Sequence, residues 1–91
     1  MRYDKIIVID IESTCWKENT SKEVNDSKML LNEIIEIGIC PIDTKSGNVL
    51  EKRSIIVKPT YSTVSEFCTS LTTLTQEDVD NGISFSDACS I

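Results

Sequence analysis

The chain has 91 residues, of which 40 % are hydrophobic and 26 % charged, enough for one small globular domain and too few for two. Its net charge of −6 excludes a general attraction to nucleic acid or to an anionic membrane, so binding to a polyanion would need bound cations or a local basic patch. The sequence has no histidine, which excludes Ser-His and Cys-His catalysis by this chain alone.

The sequence also contains no apolar run of about 18 residues, so no membrane span is expected. The N-terminal segment "MRYDKII" lacks the apolar core of a secretory signal, and we therefore expect a cytosolic protein with no membrane partner. No CxxC pair is present, so reduced structural thiols are expected rather than a disulfide framework or a zinc site. The four cysteines are Cys15, Cys40, Cys68 and Cys89.

The first predicted element is a strand from Lys5 to Glu12. Alternate side chains of a strand share a face, so Asp10 and Glu12 point the same way, with their α-carbons about 7 Å apart. Both faces of the strand begin with isoleucine or valine. This pattern predicts a central strand that is covered on both sides.

Asp10 and Glu12 form the first candidate site. Their carboxylates can converge on hard divalent ions such as Mg²⁺ or Mn²⁺, which prefer oxygen ligands. Two-metal phosphoryl-transfer sites hold their ions about 3.5–4 Å apart, a separation that one bridging carboxylate can span. Charged residues also end many apolar strands simply because the chain leaves the core there. The D-x-E spacing alone therefore leaves both interpretations open.

A long polar connection, Ser13 to Leu31, follows the first strand, and a short helix is predicted near "SKMLLNE". Two more strands, Glu33–Ile42 and Val49–Lys58, are separated by the turn cluster "DTKSGN" and predict an antiparallel hairpin. Glu36 interrupts the apolar pattern of the second strand. It either supports the metal ligands from behind or is a structural carboxylate that faces a helix.

Three helix starts follow the strands. "TVSE" at Thr63–Glu66 fits a capping box, and "TQED" at Thr75–Asp78 and "SFSD" at Ser84–Asp87 are similar starts with aspartate in the third position. The third helix begins an apolar stripe at Phe85, and the sequence ends at Ile91. We therefore expect the first part of a larger α/β domain, truncated here, with this stripe available for self-association.

Four segments of the chain occur in an order that resembles a known family. "IVIDIESTCW", "NEIIEIGICPID", "VKP" and "SEFCTSLTTLTQEDVDNGISFSDAC" are similar to the N-terminal half of a DEDD-type (DEDDh) 3′–5′ exonuclease domain. The similarity is to the RNA exonuclease branch and its bacterial sporulation-inhibitor relatives. It implies that residues 1–91 are the N-terminal portion of a single exonuclease domain with a ribonuclease H-like α/β fold. A three-stranded antiparallel start of a mixed sheet is then followed by short helices.

The resemblance implies hydrolysis of terminal phosphodiesters in RNA or single-stranded DNA, with RNA favoured as partner. Asp10 and Glu12 match the first family motif and would be catalytic ligands of two Mg²⁺ or Mn²⁺ ions. The family's other acidic ligands and its histidine base lie downstream of this region, so the chain alone is expected to be inactive. The alternative is a non-catalytic nucleic-acid-binding or protein-interaction module that assembles with another chain.

The same resemblance implies a site for the 3′-terminal nucleotide. Ser13 and Thr14 would meet that nucleotide, and Trp16 and Leu74 fall where relatives place apolar residues against its base. The residues alone favour a different interpretation, in which Trp16 is a partly buried anchor for the long loop and Leu74 is a core residue between helices. For Ser13 and Thr14 the alternative is a simple turn. Thr73 stands where relatives commonly have glycine, which would change the turn beside Leu74.

Overall fold

The computed structural model describes residues 4–17 and 31–91. Within these residues the chain forms three strands and three short helices, and the strands make one antiparallel sheet in the order β1-β2-β3. This arrangement confirms the predicted fold class. The elements are β1 (Lys5–Ser13), β2 (Ile34–Asp43), β3 (Arg53–Ile56), α1 (Glu66–Thr72), α2 (Gln76–Asp80) and α3 (Phe85–Cys89).

The first two predicted strands are shifted by at most one residue at each end, and the larger difference is in the third. The predicted third strand, residues 49–58, is regular only over β3, while Val49 and Val57 form isolated bridges with Ile42 and Ile83. The helix predicted near "SKMLLNE" lies largely outside the described residues, and residues 31–33, which are described, are not helical.

Strand β1 pairs with β2 along its length, with Asp10 opposite Gly38 and Glu12 opposite Glu36. Isoleucine and valine favour this extended backbone because their branched side chains fit a pleated surface. The register shifts between Glu12 and Ser13. A bulge bends a strand and increases its twist, so the chain changes direction directly after Glu12.

The predicted coverage of β1 on both sides is wrong for the described residues. There β1 is an edge strand, and Val8 is 46 % exposed on one face while Ile7 and Ile9 are 60 % and 62 % exposed on the other. The physical reason is that the helices pack elsewhere. Their buried side chains meet β2, β3 and the residue that follows β3, so none of them covers β1.

Two small hydrophobic clusters hold the helices to the sheet. The first joins β2 to α1 and α2 and consists of the buried residues Ile35, Cys68 and Val79. The second joins β3 to α3 and consists of Ile55, Val57 and Ala88. The segment before α3 also runs parallel to the chain after β3, because the Lys58 amide donates to the Ile83 carbonyl at 2.7 Å.

The helix caps confirm two of the three predicted starts. Thr75 and Asp78 form the predicted capping box of α2, and the Ser84 side chain caps α3. The predicted box at residues 63–66 is wrong, because Ser65 caps α1 instead. Its hydroxyl accepts from the Cys68 amide at 3.0 Å and donates to a carbonyl of the segment after β1. The cap therefore also connects α1 to that segment.

Two further findings concern the predicted environment of the protein. All four cysteines have free thiols in the structure. In the part of the chain that the structure describes, no helix combines the length and the apolar character needed to cross a membrane.

Candidate metal and nucleotide site

Asp10 and Glu12 lie two residues apart near the end of β1 and share a face of the sheet, as predicted. A groove of about 390 Å³ runs beside Asp10 and is lined on its far side by Lys52 and Arg53. Gly38 faces Asp10 across the ladder and adds no side chain to this space. The groove therefore places Asp10 and Lys52 on one surface. Arg53 pairs with Ile39, next to the Gly38–Ser54 pair, so its side chain lies on the opposite face of the sheet.

The donor set fits a hard divalent ion in part. Asp10 and Glu12 supply carboxylate oxygens, the ligand type that Mg²⁺ and Mn²⁺ prefer, and the glycine opposite Asp10 leaves room beside it. Among residues 4–17 and 31–91, no group of three or more His, Cys, Asp or Glu side chains is arranged to hold a metal. Water, substrate oxygens or other protein ligands would have to complete the coordination.

Glu36 lies opposite Glu12 but its carboxylate points toward β3. Its Oε2 accepts a hydrogen bond from the Ser54 hydroxyl at 2.7 Å. One of the two predictions for Glu36 was a structural carboxylate that faces a helix. In the structure its hydrogen-bond partner, Ser54, belongs to the neighbouring strand β3. The backbone of Glu36 lies opposite that of Glu12 in the strand ladder.

The segment after Glu12 is fixed by Thr14, which is completely buried. Its amide donates to the Glu33 carbonyl at 2.9 Å, and the Glu33 amide donates to Thr14 Oγ1 at 2.9 Å. Asn32 Nδ2 donates to the Thr14 carbonyl at 2.5 Å. These bonds continue the contact between β1 and the start of β2 beyond the bulge. The Thr14 side chain is therefore a structural anchor, and its backbone is engaged by the protein.

The Glu33 carboxylate collects four hydrogen bonds from the loop after β3. The amides of Thr60, Tyr61 and Ser62 donate to it at 2.7, 2.8 and 2.5 Å, and the Ser62 hydroxyl donates at 2.6 Å. Burial, the largest single influence, raises the pKa of Glu33, but the four hydrogen bonds together lower it below its ordinary value. Glu33 is thus a carboxylate held in its ionised form.

Trp16 is half-buried and lines a second groove of about 460 Å³. Phe67 of α1 lines the same groove, so an indole and a phenyl ring border one space, and Lys17 lies at its edge. Planar aromatic side chains can stack nucleic-acid bases without reading their identity. This arrangement is compatible with the predicted contact between Trp16 and a base.

Leu74 does not line the groove that contains Trp16. It packs against the cluster of Ile35, Cys68 and Val79, which is the core position that the residues alone allowed. Phe67 of α1, which does line that groove, was not predicted from the sequence. Its position in "SEFCTSL", directly after the start of the predicted helix, was the available signal.

Ser13 and Cys15 contact α1 on either side of Thr14. The Cys68 thiol lies 3.6 Å from the Ser13 carbonyl oxygen, and the Ser65 hydroxyl donates to the Cys15 carbonyl at 2.7 Å. Burial raises the pKa of the Cys15 thiol, and a hydrogen bond with Cys68 raises it further. The segment that joins Glu12 to Trp16 is therefore attached to both the sheet and α1.

The described chain combines an antiparallel three-stranded sheet, two carboxylates on its first strand and a groove lined by aromatic side chains. The family model described as "Exonuclease" (RNase_T) matches residues 7–91. The chain therefore belongs to the exonuclease family, and its fold is that of the DEDDh exonucleases, which is ribonuclease H-like.

Individual relatives agree with this assignment. The chain is 37 % identical over 82 residues to human "ERI1 exoribonuclease 2", covering 89 % of this chain and 11 % of the relative. It is 36 % identical over 84 residues to rat "3'-5' exoribonuclease 1", covering 91 % of this chain and 22 % of the relative. The chain thus spans only a small part of the relatives that it matches, which are hydrolases acting on phosphodiester bonds.

A solved structure gives the same result. The nuclease domain of 3'hExo, a DEDDh family member bound to rAMP, superposes with a TM-score of 0.82 at 30 % identity. This match covers 97 % of the present chain and 41 % of that chain. The DEDDh family uses divalent metal ions, in agreement with the hard-donor character of Asp10 and Glu12.

Proposed function

We propose that residues 1–91 form the N-terminal portion of a single exonuclease domain that removes nucleoside monophosphates from the 3′ end of single-stranded RNA. The observation that carries the proposal is the placement of Asp10 and Glu12 on one face of β1, beside the open groove at Gly38. The relatives named as exoribonucleases support RNA over DNA as the substrate. A cytosolic location is part of the same proposal.

Asp10 and Glu12 would hold the divalent ions, with Mg²⁺ or Mn²⁺ as the candidates. When bound, such ions activate water for attack on a phosphodiester and neutralise charge on the phosphate. Lys52 lines the groove beside Asp10 and would attract the phosphodiester backbone despite the net charge of −6. Trp16 and Phe67 would stack the terminal base. Ser13 and Thr14 would act indirectly, by holding the segment between Glu12 and Trp16 in place, because the Thr14 amide and carbonyl already bond to Glu33 and Asn32.

The first experiment measures binding. Mn²⁺ is titrated into the 91-residue chain and followed by electron paramagnetic resonance, and adenosine 5′-monophosphate is then titrated with Trp16 emission as the signal. Trp16 is the only tryptophan, so the signal comes from the groove itself. We expect Asp10→Asn and Glu12→Gln to weaken Mn²⁺ binding, whereas Asp43→Asn, at the end of β2, leaves it unchanged. Equal Mn²⁺ binding by all four proteins would contradict the assignment of the metal ligands.

The second experiment measures turnover of a 5′-labelled single-stranded RNA. We expect weak or no degradation by the 91-residue chain, because the resemblance implies further acidic ligands and a histidine that this sequence lacks. Robust turnover that is lost in Asp10→Asn would overturn the expected inactivity and support the chemistry. Turnover that persists in Asp10→Asn would contradict both the expected inactivity and the catalytic role of Asp10.

One observation favours a second candidate, a module that assembles with another chain. Both faces of β1 carry exposed isoleucine or valine in the described structure, and an uncovered apolar strand is a surface for association. Light scattering after size-exclusion chromatography separates the candidates. A defined dimer with no metal-dependent binding of adenosine monophosphate would favour the module.

A further inference from the structure

Thr14, Ser62 and Glu33 form a closed ring of hydrogen bonds. The direction of each bond follows from the number of hydrogens that each group can donate. The Ser62 hydroxyl has one hydrogen, and its 2.6 Å contact with the Glu33 carboxylate uses it. Ser62 Oγ must then accept in its 3.0 Å contact with Thr14 Oγ1, so the single hydrogen of the Thr14 hydroxyl is shared between Ser62 Oγ and the Leu31 carbonyl oxygen, which is farther away at 3.3 Å. The ring closes because the Glu33 amide donates to Thr14 Oγ1.

The ring joins three distant parts of the chain. Thr14 belongs to the segment after β1, Glu33 precedes β2 and Ser62 belongs to the loop after β3. Every member donates in one direction around the ring, and such directional networks are rigid because each bond polarises the next. The carboxylate ends the series as the only ionised acceptor, so its charge determines the direction of the other bonds.

The segment that the ring fixes lies between two candidate site residues. Glu12 is two residues before Thr14, and Trp16 is two residues after it. On the Trp16 side, the Cys15 carbonyl accepts from Ser65, so the backbone between the metal ligand and the aromatic groove is held from both sides. If Thr14 lost its fixed position, the positions of both Glu12 and Trp16 would therefore change.

We propose that Glu33 is a positioning residue for the nucleotide site: through Ser62 and Thr14, its carboxylate sets the placement of Glu12 and Trp16. This inference rests on the proposed function, because it concerns the same site. Glu33 itself contacts neither the candidate metal ligands nor the groove at Trp16, so its effect is indirect.

The test uses Glu33→Gln in the 91-residue chain. The glutamine side chain has one acceptor oxygen where glutamate has two. If that oxygen takes the place of Oε1 and keeps its three donors, the NH₂ group takes the place of Oε2 and faces the Thr60 amide, which is also a donor. Two quantities are measured at a temperature where circular dichroism shows the variant folded. They are the accessibility of Trp16 to acrylamide and the affinity for adenosine 5′-monophosphate in the presence of Mn²⁺.

We expect Trp16 to become more accessible and the nucleotide affinity to fall by about 10-fold, the size found when residues behind a metal ligand are changed. Asp43→Asn is the matched control. Asp43 ends β2, and its carboxylate also accepts from a serine hydroxyl and a backbone amide, which belong to the turn that follows. If both variants leave Trp16 accessibility and nucleotide affinity at the wild-type values, Glu33 has only a structural role and the inference is wrong.

A second variant covers the case in which Glu33→Gln does not fold. Ser62→Ala interrupts the ring but keeps three backbone amides on the Glu33 carboxylate, and we expect a smaller change of both quantities in the same direction. Unchanged Trp16 accessibility in this variant would overturn the inference. If the wild-type chain does not bind the nucleotide, the proposed function fails at this site, while the Trp16 accessibility still decides whether Glu33 controls the segment.

Discussion

Asp10 and Gly38 face each other across the ladder between β1 and β2. A Cβ atom built on Gly38 would lie 3.5 Å from the Asp10 carbonyl oxygen and 3.8 Å from the Asp10 Cβ, which are ordinary contact distances. The glycine is therefore not required by the backbone at this position. Its effect is to leave space beside the candidate metal ligand.

This relationship predicts different results for two substitutions of Gly38. Gly38→Ala adds a methyl group that fits, so Mn²⁺ affinity should stay close to the wild-type value. Gly38→Leu fills the groove beside Asp10, and we expect Mn²⁺ affinity to fall by about 10-fold or more, as for other disturbances next to metal ligands. The measurement is Mn²⁺ titration by electron paramagnetic resonance. Equal loss in both variants would point to general damage to the sheet rather than to occupied space.

Thr73 ends α1 with a left-handed backbone, φ 68° and ψ −1°. A side chain in this region costs about 1–2 kcal/mol, and glycine avoids that cost but loses about 0.5–1 kcal/mol through its freedom in the unfolded chain. Thr73→Gly should therefore stabilise the chain by about 0.5–1 kcal/mol, which raises the melting temperature by a few degrees. Thermal unfolding followed by circular dichroism measures the change.

Ser70→Gly is the control for Thr73→Gly. Ser70 lies inside α1, and its hydroxyl donates to the Phe67 carbonyl at 2.6 Å. Glycine has no backbone advantage in a helix interior, so this variant should be less stable than the wild type by about 0.5 kcal/mol or more. A stabilising effect in both variants would show that the backbone conformation at position 73 is not the cause.

Glu33 should make stability depend on pH in the acid range. Its pKa lies below the ordinary value of 4.5 in the folded chain, so the unfolded chain binds the proton more readily. The contribution of Glu33 is therefore complete above the ordinary value and is lost as pH falls through the lowered pKa. We expect the wild-type chain to lose stability from about pH 5 downward and Glu33→Gln to lose less of it. Urea unfolding at a series of pH values measures this.

Asp43 provides the comparison for the pH series. Hydrogen bonds from the Ser46 hydroxyl and the Lys45 amide lower the pKa of Asp43 from its ordinary value of 3.8. Its contribution to stability has the same sign and is complete above its ordinary pKa value, which is lower than that of Glu33. Asp43→Asn should therefore leave the curve above that value largely unchanged. Identical curves for Glu33→Gln and the wild type would contradict the hydrogen-bonded state of Glu33.

Local patterns predicted the strands, the hairpin and the caps at Thr75 and Ser84, because each depends on residues close in sequence. The shared face of Asp10 and Glu12 was predictable for the same reason, since strand geometry fixes it. The cap of α1 was assigned two residues too early. The residue that caps α1 is Ser65, which also donates a hydrogen bond to Cys15, fifty positions away. A contact at that distance in sequence cannot be predicted from local residue spacing.

The ring of Thr14, Glu33 and Ser62 could not be read from the sequence. Its members are separated by 19 and 29 positions, and each alone is an ordinary polar residue near a turn. The coverage of β1 was predicted wrongly because an apolar pattern indicates that a strand can be buried. The pattern does not indicate whether a helix among the described residues packs against that strand.

The exposed apolar surface of β1 predicts self-association of the 91-residue chain. Ile9 is 62 % exposed on a sheet edge, and Phe85, in the stripe first expected to associate, is 50 % exposed. An edge strand adds unpaired backbone groups to its apolar surface, so we expect β1 to contribute more than α3. Light scattering should give a mass above 10.2 kDa for the wild type at high concentration. Ile9→Lys should reduce that mass more than Phe85→Ser does.

Ile35 provides the control for these surface variants. It is completely buried, so Ile35→Ala should cost about 2–5 kcal/mol of unfolding free energy. Ile9→Lys should cost much less, because its side chain is already largely in water and substitutions at exposed sites usually change stability by about 0.5 kcal/mol or less. A mass of 10.2 kDa at every concentration, or a loss of association only in Phe85→Ser, would show that the edge of β1 is not the associating surface.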